Sequence, residues 1–414
     1  MEDVKSKIPE IRFEGFTDAW EQRKLGELIV DYLEKTTRQN QYPVLTSSQK
    51  QGIVLQEDYF SNRQVTTDNN VGYFVLPRGY YTYRSRSDNS IFIFNRNDII
   101  DRGIISYFYP VFSLRNTDSE FFLRRINNGI QKQVSIAAEG TGQHVLSLKK
   151  FKNITTNFPI IEEQTKLGNF FKKLDKTITF QERELELLKE QKKGFLQKIF
   201  PRNDEKVPEL RFEGFTDAWE QRKFKNLVAT IDGIRRGPFG SALKKEFFVE
   251  NSEYVVYEQQ NAIYDRYDTR YNITEEKYEE LIKFKVSPGD FIMSGAGTIG
   301  RISLVPKGIT NGVFNQALIR FKLNEEETDS KYFLQLMRSE NMQRMLTGSN
   351  PGSAMVNLVP MSEVKEWNIM VPCLNEQKLL GNFFTNLDKT ITLQERKLES
   401  MKEMKKSFLQ KMFV

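Results

Sequence analysis

The chain has one histidine, His144, and one cysteine, Cys373. Any Ser-His-Asp or Cys-His catalysis would have to rest on His144 alone. Two such residues cannot furnish a disulfide scaffold or a Cys/His zinc site. Gly295-Ala296-Gly297-Thr298-Ile299-Gly300 has the G-x-G-x-x-G spacing of a dinucleotide loop. That loop must follow a strand and open a helix, with an acidic residue about 20 positions on. Here "RISLVPKG" follows and reads as another strand, so a hairpin turn is expected. There is no G-x-x-x-x-G-K-[ST] phosphate loop and no Asn/Asp-Pro-Pro-aromatic tetrapeptide, and Asn350-Pro351-Gly352 does not supply one. Glu363-Val364-Lys365 has the E-x-K form of some nuclease sites, but the nearest plausible acid, Asp290, is far upstream. No catalytic constellation emerges.

The chain does offer binding chemistry. Arg78 leads into a stretch carrying Tyr81, Tyr83, Arg84 and Arg86. Arginine can hold guanine O6 and N7 with two hydrogen bonds, and tyrosine can reach phosphate. Gln143-His144 and Asn315-Gln316 present amide groups suited to adenine. "GIRRGPFGSALKK" places Arg235, Arg236, Lys244 and Lys245 among glycines that let backbone approach a polyanion. For each of these residues the competing reading is a solvated charge or a satisfied strand amide.

The elements that must position these residues are written twice. Ile8–Lys24 and Val207–Lys223 differ at two positions, and both contain "RFEGFTDAWEQRK". A second pair of matching segments begins at Pro159 ("PIIEEQTKLGNFFKKLDKTITFQEREL") and at Pro372 ("PCLNEQKLLGNFFTNLDKTITLQERKL"). Between these anchors the halves diverge, and the second variable stretch, Lys223 to Pro372, is longer than the first, Lys24 to Pro159. Each matching tail carries apolar residues at alternating steps of four and three. In the first tail these are Leu167, Phe171, Leu174, Ile178, Leu185, Leu188 and Phe195. In the second they are Leu380, Phe384, Leu387, Ile391, Leu398, Met401 and Phe408. That is a heptad seam. Gln181 and Lys192 interrupt the first seam, Gln394 and Lys405 the second. The lysines either specify the pairing or merely lay their stems along it.

A helix of roughly 38 residues, about 57 Å long, cannot bury such a seam alone. The other copy is the natural partner, and a chain that leaves one helix and returns along the next makes the pair antiparallel. The expected fold is therefore α+β. Two mixed α/β domains are each followed by a long constant helix, and the helices form an antiparallel coiled coil with pseudo-twofold symmetry. The boundaries read as domain one over 1–158, helix one over 159–200, a linker over 201–206, domain two over 207–371 and helix two over 372–414. Within the domains, "TDSEFFLRRI" at Thr117 and "TDSKYFLQLM" at Thr328 should each open a helix with Asp or Ser as its cap. The β-rich runs from Gly103 and Gly312 precede them.

Composition fits this plan. Lys and Arg number 61 against 55 Asp and Glu, a mild basic excess compatible with nucleic acid. Aromatic content of 12% argues against disorder. The first residues lack a signal-peptide core, and no stretch reaches the roughly 20 apolar residues of a membrane span. With a single cysteine, a cytoplasmic location without membrane association is expected.

Two variable domains, each followed by a constant helix with the "EEQTKLGNFFKKLDKTITFQEREL" and "NEQKLLGNFFTNLDKTITLQERKL" runs, resemble the specificity subunit of bacterial Type I restriction–modification systems. The "FTDAWEQRKLGEL" run at Phe16 is similar to that family's domain-opening segment. The resemblance covers essentially the whole chain. It implies that each variable domain is a target-recognition domain reading one half of a bipartite, asymmetric site in double-stranded DNA. It implies that the helices fix the spacer and dock two modification subunits, which use S-adenosylmethionine to methylate adenine N6. ATP- and Mg-dependent restriction subunits would add translocation and cleavage, and this chain would have no active site. The alternative from another class is a scaffold whose coiled coil joins two protein-binding domains.

Overall fold

The computed structural model describes residues 7–60, 69–140, 142–201, 205–348 and 359–413. The first six residues, positions 202–204 of the expected linker, and Asn350-Pro351-Gly352 lie outside the described residues. The chain forms two compact units, one of residues 1–182 with 396–414, the other of residues 183–395. The helix Ile161–Ile199 begins in unit one and ends in unit two, and the helix Leu374–Lys411 does the reverse. Each unit thus contains one globular domain, the start of the helix that follows it and the end of the other helix.

Unit one is built on a four-stranded antiparallel sheet in the order Ile29–Tyr32, Val111–Leu114, Tyr81–Tyr83, Phe94–Arg96. Its core gathers Trp20, Tyr81, Tyr83, Phe94, Phe112, Phe121 and Phe151, with Met412 and Phe413 from the end of the chain. Unit two repeats the order with Ile234–Arg236, Leu318–Phe321, Phe291–Ser294 and Ile302–Leu304. It adds a second sheet in which Tyr254–Tyr257 and Gly312–Phe314 run parallel. The G-x-G-x-x-G segment joins the antiparallel strands Phe291–Ser294 and Ile302–Leu304, as a hairpin turn should.

The repeated opening segment does the same work in each unit. Its last four residues, Glu21–Lys24 or Glu220–Lys223, pair antiparallel with the strand just before the long helix, Thr155–Phe158 or Asn368–Val371. Its arginine grips the first turn of that helix. Arg12 makes two hydrogen bonds of 2.7 Å to Glu163, whose side chain is 1% exposed. Arg211 makes bonds of 2.7 and 2.8 Å to Glu376, also 1% exposed. Hydrogen bonding to the carboxylate raises each arginine's pKa. Its tryptophan packs on the end of the other helix, Trp20 against Phe413 and Trp219 against Phe200.

A short helix seats each domain on its long helix. Asp118 caps Ser119–Asn128, accepting from the Phe121 amide at 2.8 Å, and Asp329 caps Ser330–Arg338 in the same way. The amide nitrogens of these aspartates donate to Gln164 and Gln377 on the long helices, each at 3.0 Å. A helix-interior glycine permits the approach. A Cβ on Gly168 would lie 2.4 Å from Asp118 Oδ1, and one on Gly381 2.7 Å from Asp329 Oδ1. A glycine in mid-helix costs about 1 kcal/mol relative to alanine. Here it is the only residue that leaves room for the cap.

The seam is buried as its period implies. Leu167, Phe171, Ile178, Leu185, Leu380, Phe384, Ile391 and Leu398 are buried. Leu174, Leu188, Phe195, Leu387, Met401 and Phe408 are half-buried. The helix segments pack antiparallel within each unit. In unit one Phe170 meets Phe408, and Lys405 pairs with Asp175 at 2.7 Å. In unit two Phe195 meets Phe383, and Lys192 pairs with Asp388 at 2.6 Å. The seam lysines therefore make cross-helix ion pairs and do more than lay down their stems. Among the described residues no helix is long and apolar enough to cross a membrane.

Candidate nucleic-acid interface

In unit one the residues after Tyr83 leave the sheet and turn outward. Arg86–Ser87 pairs antiparallel with His144–Val145, so Arg86 faces Val145 and Ser87 faces His144. This two-stranded ribbon brings Arg84, Arg86, Gln143 and His144 close together. Arg84 is exposed, and no described residue pairs with it. Arg86 is exposed, with its guanidinium 4.3 Å from the centre of the Phe108 ring, which orients a cation without neutralising it. Gln143 is exposed and reaches Asp88 only at 3.4 Å, and His144 is half-buried. Beside the ribbon lies a cleft of about 700 Å³ lined by Ser47, Lys50, Arg84, Arg86, Asn89 and Tyr109. Ser47 and Lys50 come from the hairpin Leu45–Ser48 and Gly52–Leu55, which carried no signal beyond a polar turn. A cationic, amide-rich cleft with aromatic walls suits a phosphate backbone and base edges.

Three residues expected here serve the fold instead. Tyr81 and Tyr83 are 1% and 0% exposed. Tyr81 donates to the Ser119 carbonyl at 2.9 Å and Tyr83 to the Leu146 carbonyl at 3.0 Å, and burial raises the pKa of both hydroxyls. The strand Tyr81–Tyr83 is interior to the sheet and covered on both faces, so its tyrosines do not reach an outer surface. Arg78 is exposed, but it bonds to Asp101 and to the carbonyls of Asp98 and Ile99, which fixes its own turn.

Unit two presents different groups at the matching end of its sheet. Arg236 is exposed at the end of its strand, with no described partner. Arg235 points the other way and is engaged by Asp232, which also binds the buried Arg320. Burial opposes ionisation of Asp232, yet Arg320 and Arg235 hold its pKa below the ordinary value. Arg235 is therefore a structural residue. Asn315 spends its carbonyl on the Ala317 amide at 3.0 Å and shapes the turn that leaves Gln316 exposed. Lys244 and Lys245 are exposed, and Lys244 is only loosely paired with Glu246 at 3.6 Å. The turn 295–300 reaches the same edge, where Gly295 donates to the Ala317 carbonyl and Gln259 donates to that of Ala296.

The chain resembles known proteins in both sequence and fold. Residues 17–190 and 230–403 each match the family described as the Type I restriction modification DNA specificity domain. The chain is 22% identical over 287 residues to the Type I restriction enzyme MjaVIII specificity subunit of Methanocaldococcus jannaschii. That match covers 66% of this chain and 64% of the relative, so it spans less than two thirds of the relative's length. The fold is similar to the S subunit of the Type I restriction–modification system of M. genitalium, with a TM-score of 0.56 at 12% identity. It covers 98% of this chain and 99% of that one. It is also similar to a chain from work on complex assembly and conformational transition of the type I R-M system, with a TM-score of 0.55 at 13% identity. There 95% of this chain and 97% of the other are covered.

Proposed function

Because the chain belongs to the family of Type I restriction–modification DNA specificity proteins, we propose that it is the sequence-reading subunit of such a system. Each unit reads one half of a bipartite, asymmetric site in double-stranded DNA. The paired long helices set the spacing between halves and dock two modification subunits that methylate adenine N6. Restriction subunits joined to that complex cleave unmodified DNA. S-adenosylmethionine, ATP and Mg belong to those partners, and this chain performs no chemistry itself. It works in the cytoplasm, where the DNA is. The domains that carry recognition lie within 1–158 and 207–371, and the constant segments within 159–200 and 372–414.

One observation carries this reading. The two units share the contacts that attach domain to helix, yet the groups at the ends of their equivalent sheets differ. Arg84, Arg86, Gln143 and His144 stand in one, Arg236, Gln316, Lys244 and Lys245 in the other. A repeated mount carrying two different surfaces suits a reader of two different half-sites.

The test is selection of duplexes from a random-sequence pool by the full chain. The selected set should share a two-part motif, and affinity should fall steeply with salt. A chain that enriches no sequence and binds DNA without salt dependence would leave the scaffold reading in place.

A further inference from the structure

Phe239 is 91% exposed, more than any other large apolar side chain among the described residues. Single exposed apolar residues are ordinary on protein surfaces. This one differs because its loop is tied to the sheet before it and closed by a turn after it. Gly237 donates to the Leu318 carbonyl at 2.9 Å, continuing the ladder of the sheet. A Cβ on Gly237 would lie 1.9 Å from the Asn315 carbonyl oxygen, so the two backbones are in close contact. Pro238 is buried. The Ala242 amide donates to the Phe239 carbonyl at 2.9 Å and closes the following turn. The ring is thus held out in water by a braced backbone, where a floppy loop would let it fold back.

Its neighbours indicate what it meets. Arg236 ends the same strand with its charge free, and the Gln316 amide nitrogen lies 3.9 Å from the Cβ position of Gly240. A cation for phosphate, an amide for a base edge and a rigid apolar ring stand side by side. We infer that Phe239 is a wedge pressed against a base-pair step of the half-site read by unit two, partly unstacking it. Proteins that insert Phe, Leu, Ile, Met or Pro in this way kink the duplex and favour steps that unstack easily. The specificity of unit two then includes a contribution from DNA deformability that no hydrogen-bond donor supplies. In unit one the strand Ile29–Tyr32 runs directly into Leu33, which is 71% exposed, and the Gly237-Pro238-Phe239 turn has no counterpart in the Leu33-Glu34-Lys35 that follows.

This inference rests on the DNA-recognition reading, and one experiment separates the two. The probe is the duplex selected by the wild-type full chain, with 2-aminopurine placed at successive positions of each half-site. Wild-type protein should raise the fluorescence at one step of one half. Phe239→Ala should abolish that rise and weaken the selected duplex about tenfold or more, within the range for one mismatched base pair. Binding of a random-sequence duplex, and its salt dependence, should not change, because no charge is removed. Phe239→Leu should restore part of the affinity and the signal. If Phe239→Ala binds the selected duplex like wild type, the wedge is wrong while recognition stands. If it weakens selected and random duplexes alike, the ring is a general surface contact and the wedge is again wrong. If the wild-type chain selects no sequence, recognition and wedge fall together.

Discussion

In unit one Arg12 grips Glu163, Gln164 takes the Asp118 amide, and Gly168 makes room for the cap. In unit two Arg211, Glu376, Gln377, Asp329 and Gly381 repeat every one of these contacts. At the ends of the sheets the likeness stops. A ribbon carrying Arg84 and Arg86 beside Gln143 answers to a braced loop carrying Phe239 beside Arg236 and Gln316. A recent duplication would have left both regions alike. The difference shows that attachment and recognition are held to different requirements. Two domains must join long helices in one way, but each is free to carry its own surface.

Four outcomes bear on this contrast. The largest concerns attachment. Arg12→Ala and Arg211→Ala each leave a buried carboxylate unpaired, which costs about 3–5 kcal/mol. Hydrogen exchange of the full chain should show comparable loss of protection, each in its own unit. A large effect in one and none in the other would mean that the junctions are not equivalent.

Next, Gly168→Ala and Gly381→Ala push a methyl into the capping aspartate, and overpacking of this kind costs about 1–3 kcal/mol. Urea unfolding should register both. If either variant is as stable as wild type, the helix seat is looser than its geometry implies.

The recognition side should behave in the opposite way, with effects confined to DNA. Arg84→Ala/Arg86→Ala and Arg236→Ala should each weaken selected DNA, with about 1–3 kcal/mol for a base-reading arginine. An arginine that neutralises a phosphate instead contributes about 0.9 to the salt slope, and its removal should lower the slope by that amount. Arg235→Ala should disturb folding, through Asp232 and Arg320. A pure DNA defect in Arg235→Ala would reverse the assignment of these neighbours.

The smallest effect belongs to the seam. Lys192→Ala and Lys405→Ala remove half-exposed cross-helix pairs, and exposed pairs of this kind contribute about 0.2–1 kcal/mol. Double-mutant cycles with Asp388 and Asp175 should give similar small couplings.

The architecture was legible because it is periodic and written twice. Leu167 through Phe195 announce a buried seam by spacing alone, and the matching register from Leu380 names the partner. The caps at Asp118 and Asp329 were legible from residue type. Tyr81 and Tyr83 were misread because residue type alone does not say whether a strand is covered on both faces. Arg235 and Arg236 are adjacent and alike in sequence, and only the strand direction separates the engaged one from the free one. The Arg–Glu clamps went unseen, although an arginine in both opening segments and a Glu-Gln pair in both tails were there to be matched. Gly168 and Gly381 carried a similar signal, a glycine at the same interior position of two long helices.

If this chain chooses the DNA sequence on which a modification complex acts, its loss must change the methylation pattern of the source cell. The most direct measurement is a genome-wide N6-methyladenine map of the source cell, made with the gene intact, deleted and carrying Arg84→Ala/Arg86→Ala. Deletion should remove methylation on both strands from one two-part motif, and the variant should lose or relax one half of it. A map unchanged by deletion, in cells where the modification subunit is present, would contradict that role.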